Sequence, residues 1–265
     1  MRQWRPGAIG RAMAMKTAVI IQARFTSTRL PGKVLLKVAG RSLLSHVLER
    51  ACATAGAEAI VCAVARGPAH DGVADEAVRC GAQVTRGPVR DVLARYYLAA
   101  KAVGAQAILR VTSDCPLIDP EICAAVLGSV RAGDADFAAN NMPPSWPHGL
   151  DCEAFSFALL ERAHEEARSP QEREHVGPYM RALRDIRKVN YMAPSNNDLS
   201  CHRWSVDTQT DLEFVRRLIP RLPAGPKGWS YQATLAVLEA DPALARLSRE
   251  RPEGGGWRRA PPHRP

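Results

Sequence analysis

Thr17-Ala18-Val19-Ile20-Ile21-Gln22-Ala23-Arg24 is the stretch from which the fold is read. Its first five residues are β-branched or small, without polar alternation, as in a strand buried on both faces of a parallel sheet. From Gln22 to about Gly40 the chain is polar and punctuated by Gly and Pro. Leu43, Leu44, Val47, Leu48 and Ala51 then recur at helical spacing behind Ser42, whose hydroxyl suits an N-cap. Strand, polar loop, helix is the opening of a βαβ unit, and the pattern repeats. It predicts strands at 59–64, 82–85 and 107–111, with helices over 70–80, 91–103 and 120–131. Beyond Gly133 the spacing predicts strands at 136–139, 150–155 and 187–192, and helices at 157–167, 172–184, 211–218 and 230–238. The fold class is therefore α/β, a mostly parallel open sheet with helices on both faces. Ligands in such sheets bind beyond the carboxyl ends of the strands, which singles out the loops after Ile21 and Val111.

The composition of the 265 residues agrees: 46% hydrophobic and 24% charged content is that of a globular chain with a sizeable core. No apolar run approaches the roughly 18 residues of a membrane span. The formal net charge of +9 would suggest a nucleic-acid partner if it were spread over the fold. It is not: residues 1–15 carry +3 and 246–265 carry +4, leaving +2 for 16–245. Both ends read as disordered basic tails, the second rich in Gly and Pro, and nucleic-acid binding is not expected. Met13 and Met15 stand just before the first apolar run, so translation starting at one of them is expected. The seven cysteines show no C-x-x-C spacing and sit mostly among apolar neighbours, as reduced thiols of a cytoplasmic protein would.

The first loop, Ala23-Arg24-Phe25-Thr26-Ser27-Thr28-Arg29-Leu30-Pro31-Gly32-Lys33, gathers three cations, hydroxyls and a glycine at a strand's carboxyl end. A triphosphate needs cations to offset its charge and a Gly where backbone N–H groups can approach. The Walker A spacing is absent, and on composition alone a solvated basic turn serves equally. Asp114, in Arg110-Val111-Thr112-Ser113-Asp114-Cys115-Pro116, follows a buried strand in a turn that Pro116 keeps extended. Its oxygens suit magnesium, and a turn-forming role is the alternative. Asp207 is expected to end a short strand and Asp211 to open a helix as a cap. Asp134-Ala135-Asp136 has D-x-D form, but its setting reads as a strand start. Trp146, Trp204 and Trp229 read as packing residues.

The string A-R-x-x-S-T-R-L-P-G-K resembles the signature of the cytidylyltransferases that activate acidic 2-keto-3-deoxy sugars, the group of CMP-Kdo synthetase and acylneuraminate cytidylyltransferase. Gly149-Leu150-Asp151-Cys152-Glu153, Glu172-Arg173-Glu174-His175-Val176 and Asp91-Val92-Leu93-Ala94-Arg95-Tyr96-Tyr97 look like its spore coat polysaccharide biosynthesis protein F branch. The resemblance runs from about Lys16 to Leu218. It implies a Rossmann-like nucleotide-diphospho-sugar transferase fold: one nucleotidyltransferase domain over 16–245 with an inserted substrate or dimer region at about 136–200. It implies an enzyme joining CTP to a sugar, acidic in this family, with release of pyrophosphate, and a homodimer. The implied nucleotide contacts are Ala23, Arg24, Ser27, Arg29, Gly32, Lys33 and Thr112, with Arg24 and Lys33 catalytic. Thr112 stands where CMP-Kdo synthetases place a glutamine. Asp114 and Asp207 are the implied magnesium ligands. Asp151, Glu153 and His175 would face the acceptor sugar, or else form a hydrogen-bonded structural cluster. His148 stands where the branch often has arginine. A glycosyltransferase that consumes a nucleotide sugar, or a non-catalytic nucleotide-binding subunit, are the competing readings.

Overall fold

In the computed structural model, which describes residues 15–194, 199–225 and 228–249, the chain begins with β1 (Thr17–Ala23). A small hairpin of β2 (Lys37–Val38) and β3 (Arg41–Ser42) leads into α1 (Leu43–Cys52), β4 (Ala59–Ala65), α2 (Asp71–Arg79) and β5 (Gln83–Gly87). Then come α3 (Val92–Val103), β6 (Ala107–Thr112), α4 (Pro120–Arg131), β7 (Phe137–Ala139), β8 (Glu153–Ser156) and α5 (Phe157–Glu166). Next are α6 (Pro170–His175), α7 (Gly177–Ala182), β9 (Lys188–Asn190), α8 (Gln209–Leu218), α9 (Tyr231–Ala240) and α10 (Pro242–Leu247). The main sheet has the order β5-β4-β1-β6-β8-β7-β9. β1 lies parallel between β4 and β6, and β8 is antiparallel to both β6 and β7. The expected α/β architecture is what the chain adopts.

β1 explains why. Ala18 and Ile20 join one core with α3 and α5, while Val19, Ile21 and Ala23 join another with α1, α2, α4 and α8. Both faces of the strand are thus buried, as its unalternating sequence requires. Residues of the Asp91–Tyr97 stretch fasten α3 to the strand ends. Asp91 caps the helix through the Ala94 N–H, Arg95 Nη1 donates to Ala23 O (3.0 Å) and Ala63 O (3.1 Å), and the Tyr96 hydroxyl reaches Ile20 O and Val111 O. Three strands, two of which (β1 and β6) carry site loops, are therefore tied to one helix.

Several local expectations are corrected. The predicted helix 172–184 breaks into α6 and α7 at Val176, whose φ is 67°. Pro178 has no N–H to donate to a preceding turn, and Gly177 lies so close to Glu153 that an added Cβ would stand 2.5 Å from its Oε1. Ala39 and Gly40 both take positive φ between β2 and β3, a hairpin hidden inside the stretch read as loop. Asp207 lies outside any strand, and Asp211 closes a capping box with Thr208 at the start of α8. Residues 136–200, expected as an inserted region, supply β7, β8 and β9 to the main sheet. α10 carries the folded chain past 245: Ser248 is fully buried, with its hydroxyl 2.8 Å from His202 Nδ1. The expected disorder of residues 1–14 and 250–265 lies outside the described residues. Among the described residues no helix is long and apolar enough to cross a membrane, and all seven cysteines are free thiols.

Candidate active site

Beyond the carboxyl ends of β1 and β6 opens a cavity of about 810 Å³. Ala23, Arg24, Ser27, Arg29, Lys33, Thr112, Asp114, Asp151, His175 and Asp207 all line it. Thus the structure brings together most of the residues singled out from sequence. Gly32 and Glu153 are not in the lining. Six Lys and Arg side chains face four carboxylates around the cavity, a balance that favours an anionic ligand.

The basic loop turns back on itself through the Gly32 N–H, which donates to Phe25 O at 3.0 Å. Gly32 has φ 67°, and an added Cβ would meet the Phe25 ring at 2.9 Å, so glycine is required there. The turn delivers Lys33 to the start of a 3₁₀ turn, only 9% exposed. Its Nζ donates to Asp114 Oδ2, Asp207 Oδ1 and Val206 O, each at 2.8 Å, using all three N–H bonds. Burial works against its charge, but the two carboxylates more than compensate and hold its pKa above the ordinary lysine value. Burial likewise opposes charge on Asp114, yet Lys33 keeps it well below the usual carboxylate range. Asp207 is lowered too: Lys33 and Arg203 outweigh burial and the Asp114 charge. All three groups are ionised at neutral pH.

The chain builds this cluster from three distant segments. The Val206 N–H donates to Asp114 O at 2.8 Å, pinning the two carboxylate turns to each other. Asp211 accepts from the Asp207 and Thr208 N–H groups and from Arg203 Nε, and Arg203 also pairs with Asp207. Arg29 reaches the same Asp207 oxygen as Lys33, at 2.9 Å. Arg24 instead crosses the cavity to Glu174 at 3.3 Å, both side chains largely solvated. Thr112 Oγ1 lies 3.1 Å from Cys115 Sγ.

Beside the segment that carries Asp207, Asp151 accepts from Asn141 Nδ2 (3.0 Å) and the Gly149 N–H (2.9 Å), and pairs with His148 Nδ1 at 2.8 Å. Glu153 departs from expectation. It is 2% exposed beneath the cavity, where Oε2 accepts from Arg110 Nη1 and Oε1 from Arg181 Nε, both at 3.0 Å. Arg110 and Arg181, not Glu153, are the side chains in the lining. Sequence reasoning missed both arginines. The only local signal was Arg110 inside an otherwise apolar strand, since its partner is set by the antiparallel Arg110–Glu153 register. Asp136 binds Arg187 and lies outside the cavity lining, so the D-x-D form is structural. Trp146 and Trp204 are buried, and Trp229 packs against His46 and Arg50.

Comparison with known proteins adds a family context to this geometry. A family model described as cytidylyltransferase matches residues 18–240. The spore coat polysaccharide biosynthesis protein SpsF of Bacillus subtilis is 29% identical over 234 residues, covering 85% of this chain and 95% of the relative. A 3-deoxy-manno-octulosonate cytidylyltransferase of Anaeromyxobacter dehalogenans is 27% identical over 238 residues, covering 76% and 97%. Among solved structures, a cytidylyltransferase from Leptospira borgpetersenii superposes with a TM-score of 0.81 at 31% identity, covering 90% of this chain and 98% of that one.

Proposed function

The chain belongs to the cytidylyltransferase family, and from that premise we propose that it transfers the cytidylyl group of CTP to an acidic sugar. The products are a CMP-sugar, destined for surface polysaccharide or glycoconjugate synthesis, and pyrophosphate. The observation that carries this reading is the junction of Lys33 with Asp114 and Asp207 beneath the basic loop. Arg24 and Arg29, at the solvated rim, offset phosphate charge as the triphosphate enters, and Arg24 exchanges Glu174 for it. Lys33 neutralises the charge that builds as the α-phosphorus is attacked in line. Ser27 orients the phosphates, and the Gly32 turn sets Lys33 beneath them. Arg110 and Arg181 share the single carboxylate of Glu153, so one positive charge remains for an acidic acceptor. Asp151 and His175 lie on the acceptor side.

Magnesium is the cofactor in this reading, and the donor set fits it. Asp114 and Asp207 are ionised hard-oxygen ligands aimed at one point, since both touch the same ammonium nitrogen. Among the described residues no group of three or more His, Cys, Asp or Glu side chains could hold a metal. Two carboxylates with phosphate oxygens and water completing the shell is the habit of magnesium at nucleotide sites. When bound, the ion supplies charge neutralisation at the phosphates and acidity at the acceptor hydroxyl. A cytoplasmic homodimer, acting without nucleic acid or membrane, belongs to the same reading.

Asp114→Asn is expected to raise the magnesium concentration for half-maximal pyrophosphate release at least about tenfold, the loss that even an outer-sphere partner causes. An unchanged magnesium titration would remove Asp114 from the ligand set.

A further inference from the structure

His148 and Asp151 form a pair that the phosphate chemistry above leaves unused. Both line the cavity, with His148 Nδ1 2.8 Å from Asp151 Oδ2. The carboxylate is held from two further directions by Asn141 Nδ2 and the Gly149 N–H. The His148 backbone is fixed as firmly. Its N–H donates to His202 O at 3.0 Å, and its carbonyl accepts from the Trp204 N–H at 2.6 Å. Gly149, at φ 115°, presses against the same strand of chain, where an added Cβ would lie 2.5 Å from Ser205 N. Ring and backbone are therefore preset, as a group that must meet a reacting atom requires. An imidazole oriented by a clamped carboxylate on a cavity wall is the arrangement of a general base.

Resting on the cytidylyltransferase reading, we propose that His148 is the general base that takes the acceptor sugar's hydroxyl proton, with Asp151 as its positioning residue. Asp151 stands 2.8 Å from Nδ1, and the transfer is assigned to Nε2. The acceptor O–H bond breaks as its proton passes to Nε2, and the oxygen forms a bond to the α-phosphorus. The bond from that phosphorus to the bridging oxygen breaks, and pyrophosphate leaves with the electron pair. The imidazolium, stabilised by Asp151, then releases the proton to solvent.

The charged groups acting on the ring are Asp151 from its own loop, Arg203 from the facing segment and Asp114 from the turn after β6. Burial and Arg203 favour the neutral ring, and the hydrogen bond and charge of Asp151, helped by Asp114, prevail and raise its pKa. Activity carried by the neutral ring therefore rises with pH through that raised value and then levels.

The test is the single-turnover rate of pyrophosphate release against pH for the unaltered chain, His148→Gln, His148→Ala and Asp151→Asn. His148→Gln is expected to lose about 10²-fold at neutral pH and to lose the acid limb. Added imidazole is expected to restore part of the rate of His148→Ala, which a structural role would not allow. Asp151→Asn is expected to move the limb to lower pH, since the partner that raises the His148 value is gone. An acid limb that His148→Gln leaves in place, in a chain that does turn over, overturns the assignment alone. Absence of release from the unaltered chain with every sugar overturns the cytidylyltransferase reading and this assignment with it.

Discussion

Lys33→Ala is expected to lower turnover by about 10³-fold, the scale of losing a charge contact made chiefly in the transition state. The effect is large because one nitrogen serves three segments, reaching Asp114, Asp207 and Val206 at once. Arg29 and Arg203 still bind Asp207 in the variant, so the fold should survive while the cation beside the α-phosphorus is gone. The change also has a signature without substrate. With Lys33 absent, Asp114 and Asp207 lose a cation that lowers both pKa values, so each rises toward the ordinary carboxylate range. A depressed carboxylate value adds stability above the unfolded value of about 4 and loses it as pH falls through the folded value. The stability gap between the unaltered chain and Lys33→Ala should therefore be full above about pH 5 and close on acidification. Magnesium alone should raise the variant's Tm more than the parent's, because two carboxylates then face each other without an ammonium between them. Near-normal turnover, or a stability gap that widens in acid, would contradict this account of the cluster.

Glu153→Gln is expected to act on stability first. Its carboxylate is 2% exposed and holds both Arg110 and Arg181. The amide keeps the shape but removes the charge that the two guanidinium groups share, one of them nearly buried. Breaking a buried pair from one side costs about 3–5 kcal/mol. Arg181 is partly solvated, which argues for the lower end. About 3 kcal/mol is a Tm fall on the order of 10 °C for a domain of this size. Thermal unfolding monitored by circular dichroism checks it. An unchanged Tm with a raised acceptor KM would mean that Glu153 touches the sugar, as its sequence motif implies.

Much of the fold was legible in local pattern because local pattern is what decides it. The unbroken run of β1 and the spacing behind Ser42 needed nothing from elsewhere in the chain, and the Ser42 hydroxyl does accept from the Ser45 N–H. Where a long-range constraint overrides the local one, local spacing misleads. Residues 172–184 carry helical spacing, yet the chain must pass Gly177 directly over Glu153, and Val176 takes a left-handed φ to do so. The site was legible in a different way. Lys33, Asp114 and Asp207 stand 81 and 174 positions apart and meet on one atom. No periodicity could bring them together, and only the motif resemblance did. Arg110 and Arg181 were missed because their placement depends on β8 running antiparallel to β6, a reversal that composition does not record.

Pyrophosphate release tests the proposed reaction most directly. CTP, UTP, ATP and GTP would each be offered with magnesium to the full chain, together with a panel of acidic and neutral sugars, and the products identified by mass. Release from CTP with an acidic sugar, accompanied by the matching CMP-sugar, is the predicted result. Release from another nucleotide in preference to CTP, or breakdown of a nucleotide sugar with no pyrophosphate formed from any triphosphate, would contradict it.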